Sequence, residues 1–204
     1  MRRRDFLKGI AVVPASAAAV QWSTVAKRAC SWARDLRISA VVYDERYADC
    51  RLFADVLAQQ GAVRFPSAGD ALSVWYGALR EHIAQHGGSV GGMTTDSDLT
   101  VSRVCGKEEG LKLIYEGSHD CRTSNRLVHR LVGNGVEREV YAALLGDKTP
   151  WPHAIADALS RPLLAARFMN AVAGRPVITR PHSIAHPVYL ASWLLGSDWQ
   201  GPLF

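Results

Sequence analysis

Short blocks of apolar and polar residues alternate along the first half of the chain. An apolar, β-branched run at 36–43 predicts a buried strand, and apolar residues at helical spacing over 52–61 predict a helix that ends at Gly61. The same alternation predicts three further strands, at 62–65, 89–94 and 111–115. Strands and helices that follow one another at this spacing indicate βαβ units.

Two more helices are predicted between these strands. The first begins at Asp70, whose side chain suits an N-cap, and the second follows the polar segment 94–98. Apolar residues at helical spacing predict the buried faces of the two helices: Leu72, Trp75, Leu79 and Ile83 in the first, and Leu99, Val101, Val104 and Cys105 in the second. The glycines in the strand at 89–94 suggest that another backbone or a ligand approaches closely there.

The second half of the chain is less regular. Apolar residues over 127–132, followed by Gly133 and Gly135, suit a strand and a turn that would form half of a β-hairpin. Helices are predicted at 136–145, 151–159 and 163–172. The apolar run 187–195 is long enough for either a strand or a helix, and its flanking prolines and aromatic residues favour a core strand.

These elements predict an α/β fold. We expect one domain over 36–204, built in three layers around a mostly parallel, doubly wound sheet of the Rossmann-like or flavodoxin-like type. In such a sheet, ligands bind beyond the carboxyl ends of the strands, where the loops converge. The sequence therefore predicts where a ligand would bind before it indicates which ligand.

The first 26 residues have the composition of a removable targeting segment. A basic start is followed by a short run rich in alanine and glycine, which is far below the roughly 20 apolar residues of a membrane span. The motif is formed by Arg3, Arg4, Phe6, Leu7 and Lys8. It resembles the twin-arginine (Tat) export signal, in which a polar residue, two arginines and any residue precede Phe-Leu-Lys; Arg2 stands where that signal usually has Ser or Thr. The resemblance implies export by the Tat machinery to the periplasm, with cleavage between residues 17 and 26.

The charge of the chain depends strongly on this segment. The whole sequence carries a formal charge of +5, and residues 1–26 contribute +3 of it through four basic residues and one aspartate. The remainder keeps 20 basic and 18 acidic residues, which leaves +2. A nucleic-acid-binding protein would need a basic stripe on the mature surface, and the balanced charge argues against that class of partner.

The four cysteines, Cys30, Cys50, Cys105 and Cys121, have no CxxC spacing. An oxidising compartment would permit a disulfide, and the predicted topology puts Cys50 and Cys121 near loop ends at the same edge of the sheet. Buried free thiols are the alternative for these two residues. The sequence leaves both alternatives open.

Polar side chains are concentrated at the four predicted strand ends. Loops at one edge of a parallel sheet lie close together, so these residues are expected to form a single rim that holds the ligand pocket. They are Asp44, Glu45, Arg46, Ser67, Asp70, Thr94, Thr95, Asp96, Ser97, Asp98, Glu116, Ser118, His119 and Asp120.

No motif assigns a cofactor or a metal to this rim. The turn after the first strand has no glycine, so the dinucleotide fingerprint is absent, and the chain has no G-x-S-x-G nucleophile elbow. The aspartates could ligate a hard cation but lack the spacing of a known metal loop, and His82 and His86 lack the glutamate of HExxH. We therefore predict no cofactor and no metal.

Two functions remain. The first is an exported, non-catalytic protein that binds a small molecule or accompanies another exported protein, such as a redox enzyme. The alternative is a small periplasmic hydrolase that uses Asp44, Asp96 and His119, because a histidine beside carboxylates and hydroxyls can serve as a general base. The lack of a catalytic motif favours the first. Neither a stable membrane span nor a nucleic-acid partner is expected.

Overall fold

The structure of the chain is a computed structural model that describes residues 37–122, 125–133, 135–146, 149–161, 177–182 and 188–197. The predicted targeting segment over 1–26 and the predicted helix over 163–172 lie outside the described residues.

Seven strands and six helical segments make up the described chain. The strands are β1 (Ile38–Tyr43), β2 (Val63–Pro66), β3 (Ser89–Thr95), β4 (Leu111–Asp120), β5 (Asn125–Gly133), β6 (Val177–His182) and β7 (Tyr189–Ser197). The helices are α1 (Ala48–Gln59), α2 (Ala71–Val74), α3 (Arg80–His86), α4 (Asp96–Glu108), α5 (Val136–Gly146) and α6 (Trp151–Ser160). A π-helical turn, Trp75–Leu79, joins α2 to α3.

All seven strands belong to one mixed sheet in the order β2-β1-β3-β7-β4-β5-β6. The strands β2, β1 and β3 are parallel, whereas every pairing from β3 to β6 across β7, β4 and β5 is antiparallel. The expectation of a mostly parallel sheet is therefore right only for the first three strands. Residues 121–124 alone separate β4 from β5, and so short a connection joins only antiparallel neighbours.

Helices cover the sheet on both faces, which confirms the predicted α/β layering. Helices α1, α5 and α6 bury one apolar cluster against the sheet, with Phe53, Leu144 and Ile155 among its central residues. The segment from α2 to α3, together with α4, buries a second cluster on the opposite face around Trp75 and Trp193. Since both faces are covered at β1 and β3, these strands are buried on both sides, as the continuous apolar run of β1 predicts.

The last strand, β7, confirms that the apolar run near 187–195 is a core strand. It lies between β3 and β4, where Trp193 pairs with Gly92. A Cβ atom on Gly92 would lie 2.1 Å from the Trp193 ring, so only glycine leaves room for it. The close approach that the β3 glycines predict is thus made by an indole ring, which also donates from Nε1 to Thr94 Oγ1 at 3.2 Å.

Most predicted helix faces are buried as expected, with two exceptions. Asp70 caps α2 by accepting from the Ser73 amide at 3.1 Å, which confirms that N-cap. Leu72 and Val104, however, are more than half exposed, so their predicted inward orientation is wrong. Each lies one position away from a buried residue, Ala71 or Cys105, that occupies the inward position instead.

Candidate functional site

The topological switch point of the sheet lies between β1 and β3. From β1 the chain crosses through α1 to β2 on one side, whereas from β3 it continues through α4 to β4 on the other side. Two loops that leave in opposite directions open a crevice at the carboxyl ends of their strands. Four polar residues meet here, and we call them the strand-end site: Asp44, Arg46, Ser67 and Asp98.

Asp44 and Arg46 form a closed ion pair at the end of β1. The Arg46 amide and Nε donate to Asp44 Oδ1 at 3.1 and 2.9 Å, and Nη2 donates to Oδ2 at 2.6 Å. Asp44 is fully buried, while 52% of the Arg46 side chain is exposed. The hydrogen bond to Asp44 raises the pKa of Arg46, so the guanidinium stays charged. The Arg46 guanidinium occupies the space that a Cβ atom on Gly69 would need. The β2–α2 loop therefore packs directly against Arg46.

Ser67 and Asp98 connect the loops after β2 and β3. Ser67 Oγ donates to Asp98 Oδ2 at 3.1 Å, and both side chains are buried. The amide of Ala71, at the start of α2, also donates to the Asp98 carboxylate. Burial raises the pKa of Asp98, and the nearby charge of Asp44 raises it further, although the hydrogen bonds from Ser67 and Ala71 lower it. The site therefore holds two buried carboxylates next to each other.

The remaining residues of this edge surround the strand-end site. Thr95 caps α4 by accepting from the Asp98 amide at 3.5 Å. Thr94 is buried beneath Trp193, and its hydroxyl donates to the Thr95 carbonyl. Glu45, Asp70, Asp96 and Ser97 are exposed at the same edge. The structure thus brings together the predicted residues of the first three strand ends.

The fourth predicted strand end is wrong. β4 continues to Asp120, five residues beyond its expected end at 115, so Glu116, Ser118 and His119 lie inside the sheet. His119 is fully buried and pairs with His129 of β5. Asp120 does end the strand, where a bidentate contact with Arg122 lowers its pKa to about 2. Because β7 separates β4 from β3, Asp120 is not part of the strand-end site.

A second polar cluster, which we call the histidine chain, crosses β7, β4 and β5. It consists of Tyr115, Ser192, His119 and His129, all fully buried. The Tyr115 Oη lies 3.1 Å from Ser192 Oγ, which lies 2.7 Å from His119 Nε2. On the far side of that ring, the Nδ1 atoms of His119 and His129 are 2.8 Å apart. Gly117 leaves room for this arrangement, since its Cβ would lie 2.3 Å from the Tyr115 hydroxyl.

The histidine chain has the connectivity of a serine nucleophile, its base and an orienting group. A neutral imidazole carries one N–H, so a Nδ1–Nδ1 hydrogen bond requires the two histidines to be different tautomers. Burial lowers the pKa of His119 well below its ordinary value, and the charge of His129 lowers it further. Because Ser192 has no exposed surface, no substrate reaches its hydroxyl in this conformation, and the cluster is a buried polar network.

Three residues of the histidine chain, Tyr115, His129 and Ser192, are not among the site residues predicted from the sequence. The available signal was the alternation in β4, where Tyr115, Gly117, His119 and Cys121 fall on one face and are all buried. A polar residue in such a row needs a buried partner. The partner of His119, Ser192, lies 73 residues further along the chain. The two side chains meet only because β7 pairs with β4.

Cys50, Cys105 and Cys121 are buried free thiols in the structure. This agrees with the second of the two alternatives for Cys50 and Cys121. Burial raises the pKa of both, that of Cys121 to about 12, and each thiol is thereby kept protonated and unreactive.

Within the described ranges, no group of three or more His, Cys, Asp or Glu side chains is arranged to hold a metal ion. The histidines at 82 and 86 stack on each other with ring centroids 4.5 Å apart, and His82 Nε2 is bonded to the Ser39 carbonyl.

No helix in the part of the chain that the structure describes is long and apolar enough to cross a membrane.

Comparisons of this chain with protein-family models, with curated proteins and with solved structures find no match.

Proposed function

We propose that this chain is an exported, non-catalytic protein that binds a small polar molecule at the strand-end site. The observation that carries the proposal is the concentration of buried polar side chains at the switch point between β1 and β3. The parallel strands β2, β1 and β3 with their crossover helices form the part of the sheet that resembles a doubly wound fold. That half supports the ligand position, because crevices of this kind hold the ligands of doubly wound proteins.

The charges at this edge favour a ligand that donates hydrogen bonds or carries a positive charge. Five carboxyl side chains belong to this edge, Asp44, Glu45, Asp70, Asp96 and Asp98, whereas its arginines are Arg46 and Arg51, which bonds to the Glu45 carbonyl. Asp96 and Asp98 already complement the positive end of α4, which disfavours a phosphate at that helix start. A small amine, amino alcohol or polyol is the ligand class that fits.

The ion pair and hydrogen bonds of the strand-end site favour binding over catalysis. Both oxygens of Asp44 are engaged by Arg46, and Asp98 is engaged by Ser67 and Ala71. A site whose loops are tied together is preorganised, which reduces the ordering cost of binding. The hydrolase alternative would need Asp44, Asp96 and His119 around one substrate, and His119 is bonded inside the sheet to Ser192 and His129.

Thermal unfolding of the mature protein tests the binding proposal. Its midpoint should rise with millimolar diamines, amino alcohols or polyols and should not rise with inorganic phosphate, because a ligand that binds only the folded state stabilises it. Asp98→Asn should abolish the rise, while Asp157→Asn, a matched change on the outer side of α6, should keep it. A panel without any stabilising compound, or one in which phosphate stabilises most, contradicts the proposal.

Export is tested separately at the N-terminus. Replacing Arg3 and Arg4 together by lysine retains the charge and removes the paired arginines on which the Tat resemblance rests. We expect the wild-type protein in the periplasmic fraction and the Arg3→Lys/Arg4→Lys variant as a full-length precursor in the cytoplasm. A variant that is exported as efficiently as the wild type would argue against this route.

A further inference from the structure

The histidine chain lies directly beneath the start of helix α6. The Trp151 ring, at the first position of α6, packs 4.7 Å from the His119 ring and 5.3 Å from the His129 ring, measured between centroids. Trp151 Nε1 is buried and has no hydrogen-bond partner among the described residues. The first turn of α6 is therefore positioned by packing on the two imidazoles.

The chain of hydrogen bonds is satisfied while both histidines are neutral. In one arrangement Tyr115 donates to Ser192, Ser192 donates to His119 Nε2, and His119 Nδ1 donates to His129 Nδ1. The reverse direction satisfies the same three contacts. Adding a proton to His119 makes both of its nitrogens donors, so Ser192 must accept from Nε2 and donate to Tyr115, and the chain then carries a positive charge that is fully buried. If both imidazoles are protonated, two N–H groups point at each other across 2.8 Å.

Within the described ranges, the titratable groups that act on the histidine chain are either neutral near pH 7 or act at its ends. From β4 the neighbouring titratable groups are Tyr115 and Cys121, whose pKa values burial raises, so both are neutral near pH 7. Glu116 of β4 and Glu137 of α5 act on the Tyr115 hydroxyl at the far end of the chain, and Asp49 of α1 acts on Cys121. From α6 the facing side chain is Trp151, and from β7 it is Ser192, neither of which carries a charge.

We propose that the histidine chain is an acid-sensitive lock that holds α6 on the sheet. At neutral pH the uncharged chain is satisfied and Trp151 packs on its rings. At acidic pH a proton from solvent adds to an imidazole, and the buried cation is accommodated only when the first turn of α6 lifts and admits water. The lock thereby opens the face of the sheet that α5 and α6 cover.

The direction of the effect follows from burial. His119 has a lower pKa in the folded protein than in the unfolded chain, so its contribution to stability is fully present above about pH 6.5 and is lost as the pH falls. Each histidine that titrates in this way raises the opening equilibrium constant about tenfold per pH unit below pH 6.5.

Amide hydrogen exchange of the mature protein from pH 7 to pH 5 tests the proposal, with protection factors corrected for the intrinsic pH dependence of exchange. The amides of α6 should lose at least tenfold in protection per pH unit, and those of α4, on the other face of the sheet, should lose less. His119→Gln with His129→Asn retains hydrogen-bonding groups without titrating rings and should remove the difference. His86→Gln, at the exposed end of α3, should leave it unchanged.

Equal pH dependence in α6 and α4 of the wild-type protein would overturn the proposal. The proposal is also overturned if the double variant folds and its α6 amides still lose protection with falling pH as the wild type does. Since the comparison of α6 with α4 is made within the wild-type protein, it decides the matter even if the double variant does not fold.

Discussion

The parallel and antiparallel halves of the sheet place their polar side chains differently. In the parallel half, β2-β1-β3, the polar residues follow the strands, where Arg46 and Asp96 reach solvent and Asp44 and Asp98 lie just beneath them. In the antiparallel half, β7-β4-β5-β6, some polar residues lie within the strands and are fully buried, as His119 and Ser192 are. A polar group at a strand end can serve a ligand, whereas one inside a sheet is satisfied by its neighbours.

One buried group in each half, Asp98 and His119, is expected to respond to acid in the opposite direction. Burial raises the pKa of Asp98, so the folded protein binds a proton there more readily than the unfolded chain does. Burial lowers the pKa of His119, so the unfolded chain binds that proton more readily. As the pH falls, Asp98 contributes increasing stability and His119 contributes decreasing stability. One physical cause, removal of charge from water, thus has opposite consequences for an acid and a base.

The largest expected loss of stability is at the boundary between the two halves, where β3 pairs with β7. In Gly92→Ala the new Cβ would meet the Trp193 ring at 2.1 Å in a fully buried place, and we expect a loss of about 3 kcal/mol from overpacking. Urea unfolding measures the change. Gly146→Ala is the control, since nothing lies within 4 Å of its Cβ position. Equal midpoints for the two variants would mean that β7 does not lie against β3 as described.

The second-largest loss of stability is expected in the antiparallel half. Ser192→Ala removes the hydroxyl between Tyr115 and His119 and leaves two buried polar groups without that partner. We expect a loss of about 2 kcal/mol in the free energy of unfolding. Ser118→Ala, on the opposite face of the same sheet and only half buried, should cost much less. A loss no larger than that of the control would show that the histidine chain is not formed.

A smaller effect is expected in the parallel half. Thr95→Ala removes the oxygen that caps α4 and should cost about 1 kcal/mol, whereas Thr95→Ser keeps the oxygen and should cost little. Chemical denaturation of the two variants gives the difference directly. If serine costs as much as alanine, the methyl group of Thr95 matters and the cap does not.

The smallest expected effect is on how the free energy of unfolding changes with pH. The stability of the wild type relative to Asp98→Asn should rise as the pH is lowered from 7 towards 4, since only the wild type has a buried carboxyl to neutralise there. Asparagine can still accept the hydrogen bond from Ser67, which keeps the packing comparable. A relative stability that falls over this range would mean that Asp98 is stabilised as a carboxylate.

The parallel half could be predicted because its signals are local. Each of its strands is a short apolar run followed by a polar turn and a helix, and the strand-end residues near Asp44 and Thr95 follow from those boundaries. Asp70 was identified as a cap for the same reason, since a cap and its amide partner are three residues apart. Side-chain contacts across the site, such as that between Ser67 and Asp98, depend on tertiary packing and were not predictable.

The antiparallel half could be predicted only in part because its contacts are distant in sequence. The segment Glu116-Gly-Ser-His-Asp120 has the composition of a loop, and it forms a strand because β5 and β7 supply buried partners for its polar side chains. Nothing near His119 in the sequence indicates Ser192. The apolar run of β7 could be predicted as a core strand. Its position between β3 and β4 could not, because that position depends on how all the strands of the sheet assemble.

The most direct test of ligand binding at the strand-end site is to map amide chemical-shift changes on the protein. The protein is titrated with small diamines, amino alcohols and polyols, with inorganic phosphate as the comparison. We predict saturable shifts concentrated at residues 44–46, 67–70 and 95–98, which are lost in Asp98→Asn, and no comparable shifts in β4 or β5. Saturable shifts centred on β4 and β5, or no response to any of these compounds, would contradict it.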